Sequence, residues 1–218
     1  MESFTRLTGV AAPMLRPNID TDQIIPTRFL ARLSEDGLGE GLFAEWRTQA
    51  DGTPDPDFIL NRAPWDRAQI LVAGANFGCG SSREAAPRAL RQRGFRALIA
   101  PSFGDIFYNN CFRNGIVPVR LAPDIVESIG TRLLQGRLAG CELSISLETG
   151  EVHIPGSGET FGFGTPPLLR RMLLEGLDEI ELTLAHAGAI ASFRRSDRQR
   201  RPWAYLQDPS FPPKEATP

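Results

Sequence analysis

The chain has 218 residues, 41% of them hydrophobic and 23% charged, with a formal net charge of −2. That is ordinary globular composition, enough for one substantial core, and its balance excludes the basic surface of a nucleic-acid or membrane-surface binder. No apolar run approaches the roughly 18–20 residues of a membrane-spanning helix. Met1 to Leu15 also lacks the charged-then-apolar order of a secretion signal, so the cytoplasm is the expected compartment.

In chain order, Phe4 to Val10 predicts a strand. The run Arg16-Pro17-Asn18-Ile19-Asp20-Thr21-Asp22-Gln23-Ile24-Ile25-Pro26 is rich in Asp, Asn and Pro and predicts a structured loop. Residues 34–66 are punctuated by glycine and proline, which predicts a surface excursion with one short helix around Leu42 to Arg47. Gln69 to Ala73 predicts a strand, followed by the glycine-rich loop Ala75-Asn76-Phe77-Gly78-Cys79-Gly80-Ser81-Ser82. A helix is expected from about Ser82 to Arg93, with Ser81 and Glu84 as a capping box, Gly94 as its stop and Pro87 kinking its first turns.

Ala97 to Ala100 and Ile116 to Leu121 predict further strands, with a short helix Phe103 to Phe112 between them, capped by Ser102 and Asp105. Pro123 to Gln135 has a helical face in Ile125, Ile129 and Leu133. Glu142 to Leu147 and Glu151 to Ile154 predict a hairpin through Thr149-Gly150. Pro167 to Glu175 predicts a helix stopped by Gly176, and Ala187 to Arg194 another, buried through Ile190 and Phe193. The boundaries expected are one domain over 1–195 and an extended or disordered tail over 196–218. Strands alternating with helices predict an α/β domain with a mostly parallel core sheet and an additional antiparallel element. The glycine-rich loop then falls at the carboxyl end of a parallel strand, where open α/β sheets bind ligands.

Cys79, Cys111 and Cys141 are too few and too scattered for a disulfide framework or a self-contained metal or cluster site. His153 and His186 stand in unrelated segments, and Lys214 in the tail is the only lysine, so neither a nucleophile–base set nor a P-loop can be assembled. The chemistry is concentrated in Gly78-Cys79-Gly80-Ser81-Ser82-Arg83-Glu84. Two glycines let the backbone approach a ligand, and the first amides of the following helix favour an anion. Arg83 could hold a carboxylate with a forked pair of bonds. The bland reading is a capped helix start; two serines and an arginine on one turn make an anion grip an equal competitor. Asp20, Thr21, Asp22 and Arg28 read, taken alone, as a solvated turn, and the arginines between 194 and 201 as a solvated helix end.

Together, Asn18 to Pro26 and Gly74 to Glu84 resemble the swivel domain of the aconitase superfamily, and within it the small-subunit family of 3-isopropylmalate dehydratases. Ala100 to Asn110, Gly176 to Ile180 and Leu182 to Leu184 extend the resemblance over roughly residues 1–195 in consistent order. It implies a swivelling β/β/α three-layer domain that docks on a separate large subunit. This chain would bind no cofactor; the large subunit would carry a 4Fe–4S cluster on three cysteines, with one iron open to a small dicarboxylate substrate. The implied reaction interconverts 2-isopropylmalate and 3-isopropylmalate through isopropylmaleate, in leucine biosynthesis.

By the same resemblance, Ser81 is the base that removes the proton next to a carboxylate, and Arg83 binds substrate carboxylate and keeps that serine ionised. Ser82 is a neighbouring polar contact, Asp22 and Thr21 lie near the substrate oxygen that the metal binds, and Arg28 is a second carboxylate ligand. Phe29 to Leu33 would select the substrate side chain, with apolar Leu30 and Leu33 suited to an isopropyl group. Two positions depart from the family pattern: Ala85 stands where histidine is usual and Arg88 where tryptophan is frequent. Three other readings stay open: a related dehydratase acting on homoaconitate, citraconate or dimethylmalate-type acids, an inactive paralogue that serves as a binding partner, and a stand-alone anion-binding domain.

Overall fold

Arg6–Met14 is the strand on which the fold is built: its first half pairs antiparallel with one neighbour and its second half parallel with another. The computed structural model describes residues 1–30, 35–80, 84–136 and 141–205. The chain divides into two units, 1–178 and 179–218. In the first, β1 (Arg6–Met14) leads to α1 (Thr21–Ile24), α2 (Thr27–Leu30), α3 (Ala44–Arg47) and β2 (Ile70–Ala73). Next come α4 (Ala85–Gln92), β3 (Ala97–Ala100), α5 (Asp105–Arg113), β4 (Val117–Arg120) and α6 (Pro123–Leu134). Then follow β5 (Glu142–Ser146), β6 (Glu151–His153), β7 (Thr160–Gly162) and α7 (Pro167–Glu175). The second unit holds α8 (Glu179–Leu184) and α9 (Ala187–Arg200).

The sheet runs β4-β3-β2-β1-β5-β6-β7. β1 to β4 are parallel, with Ala11 opposite Ile70 and Ile70 opposite Ala97; β5, β6 and β7 extend the sheet antiparallel. This is the expected α/β class, a parallel core with an antiparallel addition. All four residues of β2 and of β3 are buried, as apolar strands of a helix-covered parallel sheet must be. α6 packs across β1, β2 and β3 through Val126, Ile129 and Leu133. Pro123 opens α6 at a position whose missing N–H has no intrahelical partner anyway. In α7, Gly176 closes the helix in the left-handed conformation, as expected.

Several expectations need correction. The excursion over 34–66 is not a surface feature: Leu38, Leu42, Phe43 and Leu60 are all buried in the core. Its apolar residues are separated by turns, so they show no periodicity even though they pack. The helix expected from Ser82 begins at Ala85 among the described residues, and Glu84 stands at its N-cap without capping through its side chain. Glu84 instead pairs with Arg88 one turn on, 3.3 Å away. Pro87 lies in the first helical turn, where amides lack intrahelical acceptors, so the helix accommodates it there. Ser102 does not cap α5, which starts at Asp105 after Gly104. β7 was not anticipated; three residues flanked by turns carry too little pattern.

In the second unit, α9 continues past Ser196 to Arg200, and Pro202–Ala204 adds a 3-10 turn, so the chain is not extended there. Ile190 and Phe193 are 38% and 57% exposed rather than buried. The buried position of α9 is polar: Asp197, 5% exposed, accepts hydrogen bonds from Arg201 and from the Tyr205 hydroxyl.

Candidate active site

Beyond the carboxyl ends of β1, β2 and β3 the chain keeps its parallel order without regular strands. The Asn18 amide donates to the Ala75 carbonyl at 2.8 Å, Gly78 to Ile19 at 2.7 Å and Thr21 to Cys79 at 3.0 Å. On the other side, Phe77 donates to the Ser102 carbonyl at 3.1 Å and Gly104 to Phe77 at 3.0 Å. Side chains close the remaining gaps: the Asn76 amide donates to Ser102 Oγ, and Asn76 Nδ2 to Asn18 Oδ1, each at 2.8 Å. Three loops are thus laced into one rigid frame at the end of a parallel sheet, the place where such sheets offer a binding crevice.

The frame explains why glycine stands at 78. Its φ is +72°, and a Cβ there would sit 2.2 Å from the Phe107 ring. Phe107 packs edge-on against Phe77 with ring centroids 5.4 Å apart, and Phe77 is fully buried. Gly104 is confined from the opposite side, since its Cβ would lie 2.5 Å from the Gly78 carbonyl oxygen. The loop therefore has a packed inner wall.

α1 begins on this frame. Asp20 Oδ1 accepts from the Gln23 amide at 2.8 Å, and Gln23 Oε1 accepts from the Asp20 amide at 3.0 Å, a reciprocal capping box. The helix turns its two candidate residues in different directions. Thr21 is 1% exposed, facing the protein, while Asp22 is exposed and accepts from the Thr27 hydroxyl at 3.0 Å. Arg28, on α2, is exposed above the Phe29 ring, and its Nη1 lies 2.6 Å from Glu45 Oε1. Arg28, Phe29 and Glu45 share a cleft of about 450 Å³ with Thr48 and Gln49. Glu45 was not singled out by sequence; its one signal was its place on the short helix expected within the excursion.

Ser81, Ser82 and Arg83 lie outside the described residues. Their described neighbours Gly80 and Glu84 are both exposed. Gly80 has φ +85° and approaches Asp20, whose Cβ would be 3.4 Å from a Cβ at position 80. The described part of the site thus joins the segment before Ser81 to the helix that carries Asp22.

The cysteines and histidines play other parts. Cys111 is wholly enclosed, and burial pushes its thiol well up, which keeps it protonated and unreactive. Cys141 is buried and Cys79 half-buried in the laced loop. Among the described residues no three His, Cys, Asp or Glu side chains are grouped to hold a metal ion. His153 lies on β6, 3.3 Å from the Thr160 hydroxyl across the hairpin, and His186 precedes α9. A cleft of about 940 Å³ in the second unit runs along Arg194, Arg195, Arg198 and Tyr205 and contains none of the candidate site residues. No helix among the described residues is long and apolar enough to cross a membrane.

Residues 1–124 match the aconitase C-terminal domain family. The chain is 53% identical over 204 residues to the 3-isopropylmalate dehydratase small subunit of Agrobacterium fabrum, covering 94% of this chain and 100% of that one. It is 50% identical over 204 residues to the protein of the same name from Mesorhizobium japonicum, with the same coverage of 94% and 100%. Among solved structures, a 3-isopropylmalate dehydratase from Methanocaldococcus jannaschii superimposes with a TM-score of 0.61 at 28% identity, over 87% of this chain and 99% of that one.

Proposed function

Since the chain belongs to the 3-isopropylmalate dehydratase small-subunit family, we propose that it supplies the base and the carboxylate grip of a two-subunit hydro-lyase in leucine biosynthesis. The reaction is the interconversion of 2-isopropylmalate and 3-isopropylmalate through isopropylmaleate. The observation that carries this reading is identity of 50–53% across the whole length of relatives named small subunits.

A small subunit requires a large one. In this reading the partner holds a 4Fe–4S cluster, because the three cysteines here are dispersed and Cys111 is sealed in the core. When present, that cluster supplies Lewis acidity toward the substrate hydroxyl and one carboxylate. This chain's share is proton transfer and charge. The Ser81 oxygen takes the proton next to a carboxylate, and Arg83 binds that carboxylate by a planar fork and holds the serine oxygen ionised. Ser82 adds a polar contact. Asp22, exposed at the start of α1, would meet the substrate near the oxygen that the metal binds. Thr21, buried beneath it, would act by holding the turn. Arg28, half exposed and touching Glu45 through Nη1, would be the second carboxylate ligand. The enzyme is proposed to be cytoplasmic; three free thiols suit a reducing compartment.

Co-expression with a large subunit containing three cluster-ligating cysteines tests the reading. The purified pair should dehydrate 3-isopropylmalate faster than homoaconitate, citraconate or dimethylmalate. Equal or greater turnover of another acid would reassign the substrate, and association without turnover of any would point to the inactive paralogue.

A further inference from the structure

A second, smaller polar site, with lining residues distinct from those around Arg28, lies within the excursion and beside it, and the proposed activity makes no use of it. Arg47, Trp65, Asp66 and Arg93 line a narrow cleft floored by Leu60 and Phe95, with free space of about 10 Å³, room for about one water-sized species. Trp65 is 8% exposed, and its indole Nε1 has no hydrogen-bond acceptor among the described residues. Arg47 Nη1 is equally closed off from solvent and equally without an acceptor. An unmet buried donor is costly, and more so when it carries charge. Indole and guanidinium can only donate, so whatever completes the cleft must accept from both.

The surrounding charge selects between the candidates. Burial and the neighbouring Arg93 both lower the pKa of the Arg47 guanidinium, so two like charges face this space. A water would satisfy the donors and leave the repulsion; an anion would relieve both. The one carboxylate on the lining, Asp66, is exposed and forms no ion pair with either arginine among the described residues. Phosphate and organic carboxylates are too large for the space.

We infer that the cleft is a binding site for a single small inorganic anion of about the size of chloride, held by Arg47 Nη1 and Trp65 Nε1, with Arg93 as the second positive charge. Its occupant would pin the excursion to the core. The Arg47 carbonyl already accepts from Asn61 Nδ2 and from the Asp55 amide, each at 2.8 Å, and α3 also carries Glu45, the partner of Arg28.

Thermal unfolding of the full chain in sodium chloride against sodium gluconate, at constant ionic strength, tests the site. Chloride should raise the unfolding midpoint saturably, by about 2–4 °C. Arg47→Gln should abolish the rise, Trp65→Phe should weaken it, and Asp66→Asn should bring half-saturation to lower chloride by removing the opposing charge. Identical wild-type midpoints in the two salts would leave only a water there and overturn the proposal. A rise that persists in Arg47→Gln would make it a general salt effect. A fall in the Asp66→Asn midpoint that is the same in both salts would show that the Asp66 carboxylate itself fills the cleft.

Discussion

Gly78 and Gly188 mark two regions of this chain that are held in different ways. Around Gly78, three loops exchange backbone hydrogen bonds, Phe77 is fully buried, and an added Cβ would strike the Phe107 ring at 2.2 Å. Around Gly188, in α9, nothing among the described residues lies within 4 Å of where a Cβ would go, and Ile190 and Phe193 stay exposed. The loop frame is determined several times over by packing and hydrogen bonds, which is what a positioned catalytic group needs beneath it. α9 is held by local terms, of which the Asp197, Arg201 and Tyr205 cluster is the clearest.

The sharpest way to break this contrast is Gly78→Ala. Left-handed backbone strain of about 1–2 kcal/mol and overpacking of about 1–3 kcal/mol should together cost about 2–5 kcal/mol in denaturant unfolding. A wild-type midpoint would mean that the wall behind the loop is loose. Asp20→Ala should cost less, about 1 kcal/mol, because it removes one cap and leaves the backbone lacing intact. Gly188→Ala should go the other way, with a gain of up to about 1 kcal/mol, since it adds helix propensity and meets no neighbour among the described residues. A loss at Gly188 would show that α9 is packed more tightly than its exposure implies.

The smallest effect concerns pH. The hydrogen bond from Arg132 lowers the Glu159 carboxyl below the usual carboxylate range, and the charge of Arg96 does the same for Glu2. Groups depressed in the folded state contribute stability that is complete above the unfolded pKa, about 4.3 for glutamate, and lost as pH falls through the lowered value. Glu159→Gln should therefore flatten the decline of the unfolding midpoint below about pH 4. The change should be slight, because Glu159 is solvent-accessible and screened. An unaltered acid profile would remove this pair from the account.

Much of the first unit was legible because its pattern and its burial agree. Ala97–Ala100 and Pro167–Glu175 form the strand and the helix that their apolar spacing predicts, and Gly176 ends the latter as a left-handed cap. The excursion is not legible in this way, because glycine and proline signal turns, and turns do not reveal that Phe43 and Leu60 between them reach the core. For α9 the reverse holds: helical spacing at Ile190 and Phe193 says nothing about whether a second apolar layer exists to cover them. At the site, local chemistry pointed to the loop around Gly78 and the family resemblance to the Asp22 turn, while their lacing through Asn18, Asn76 and Ser102 is a tertiary feature. The Arg28–Glu45 pair joins residues 17 apart on two short helices, a contact no local pattern encodes.

The proposed activity depends on Ser81 acting as the base on this frame. The direct measurement is turnover of 3-isopropylmalate by the assembled pair carrying Ser81→Ala, normalised to the amount of pair recovered. Recovery should equal that of wild type while turnover falls by about 10²–10⁴, the usual worth of a positioned base. A fully assembled variant that turns over at the wild-type rate would contradict it.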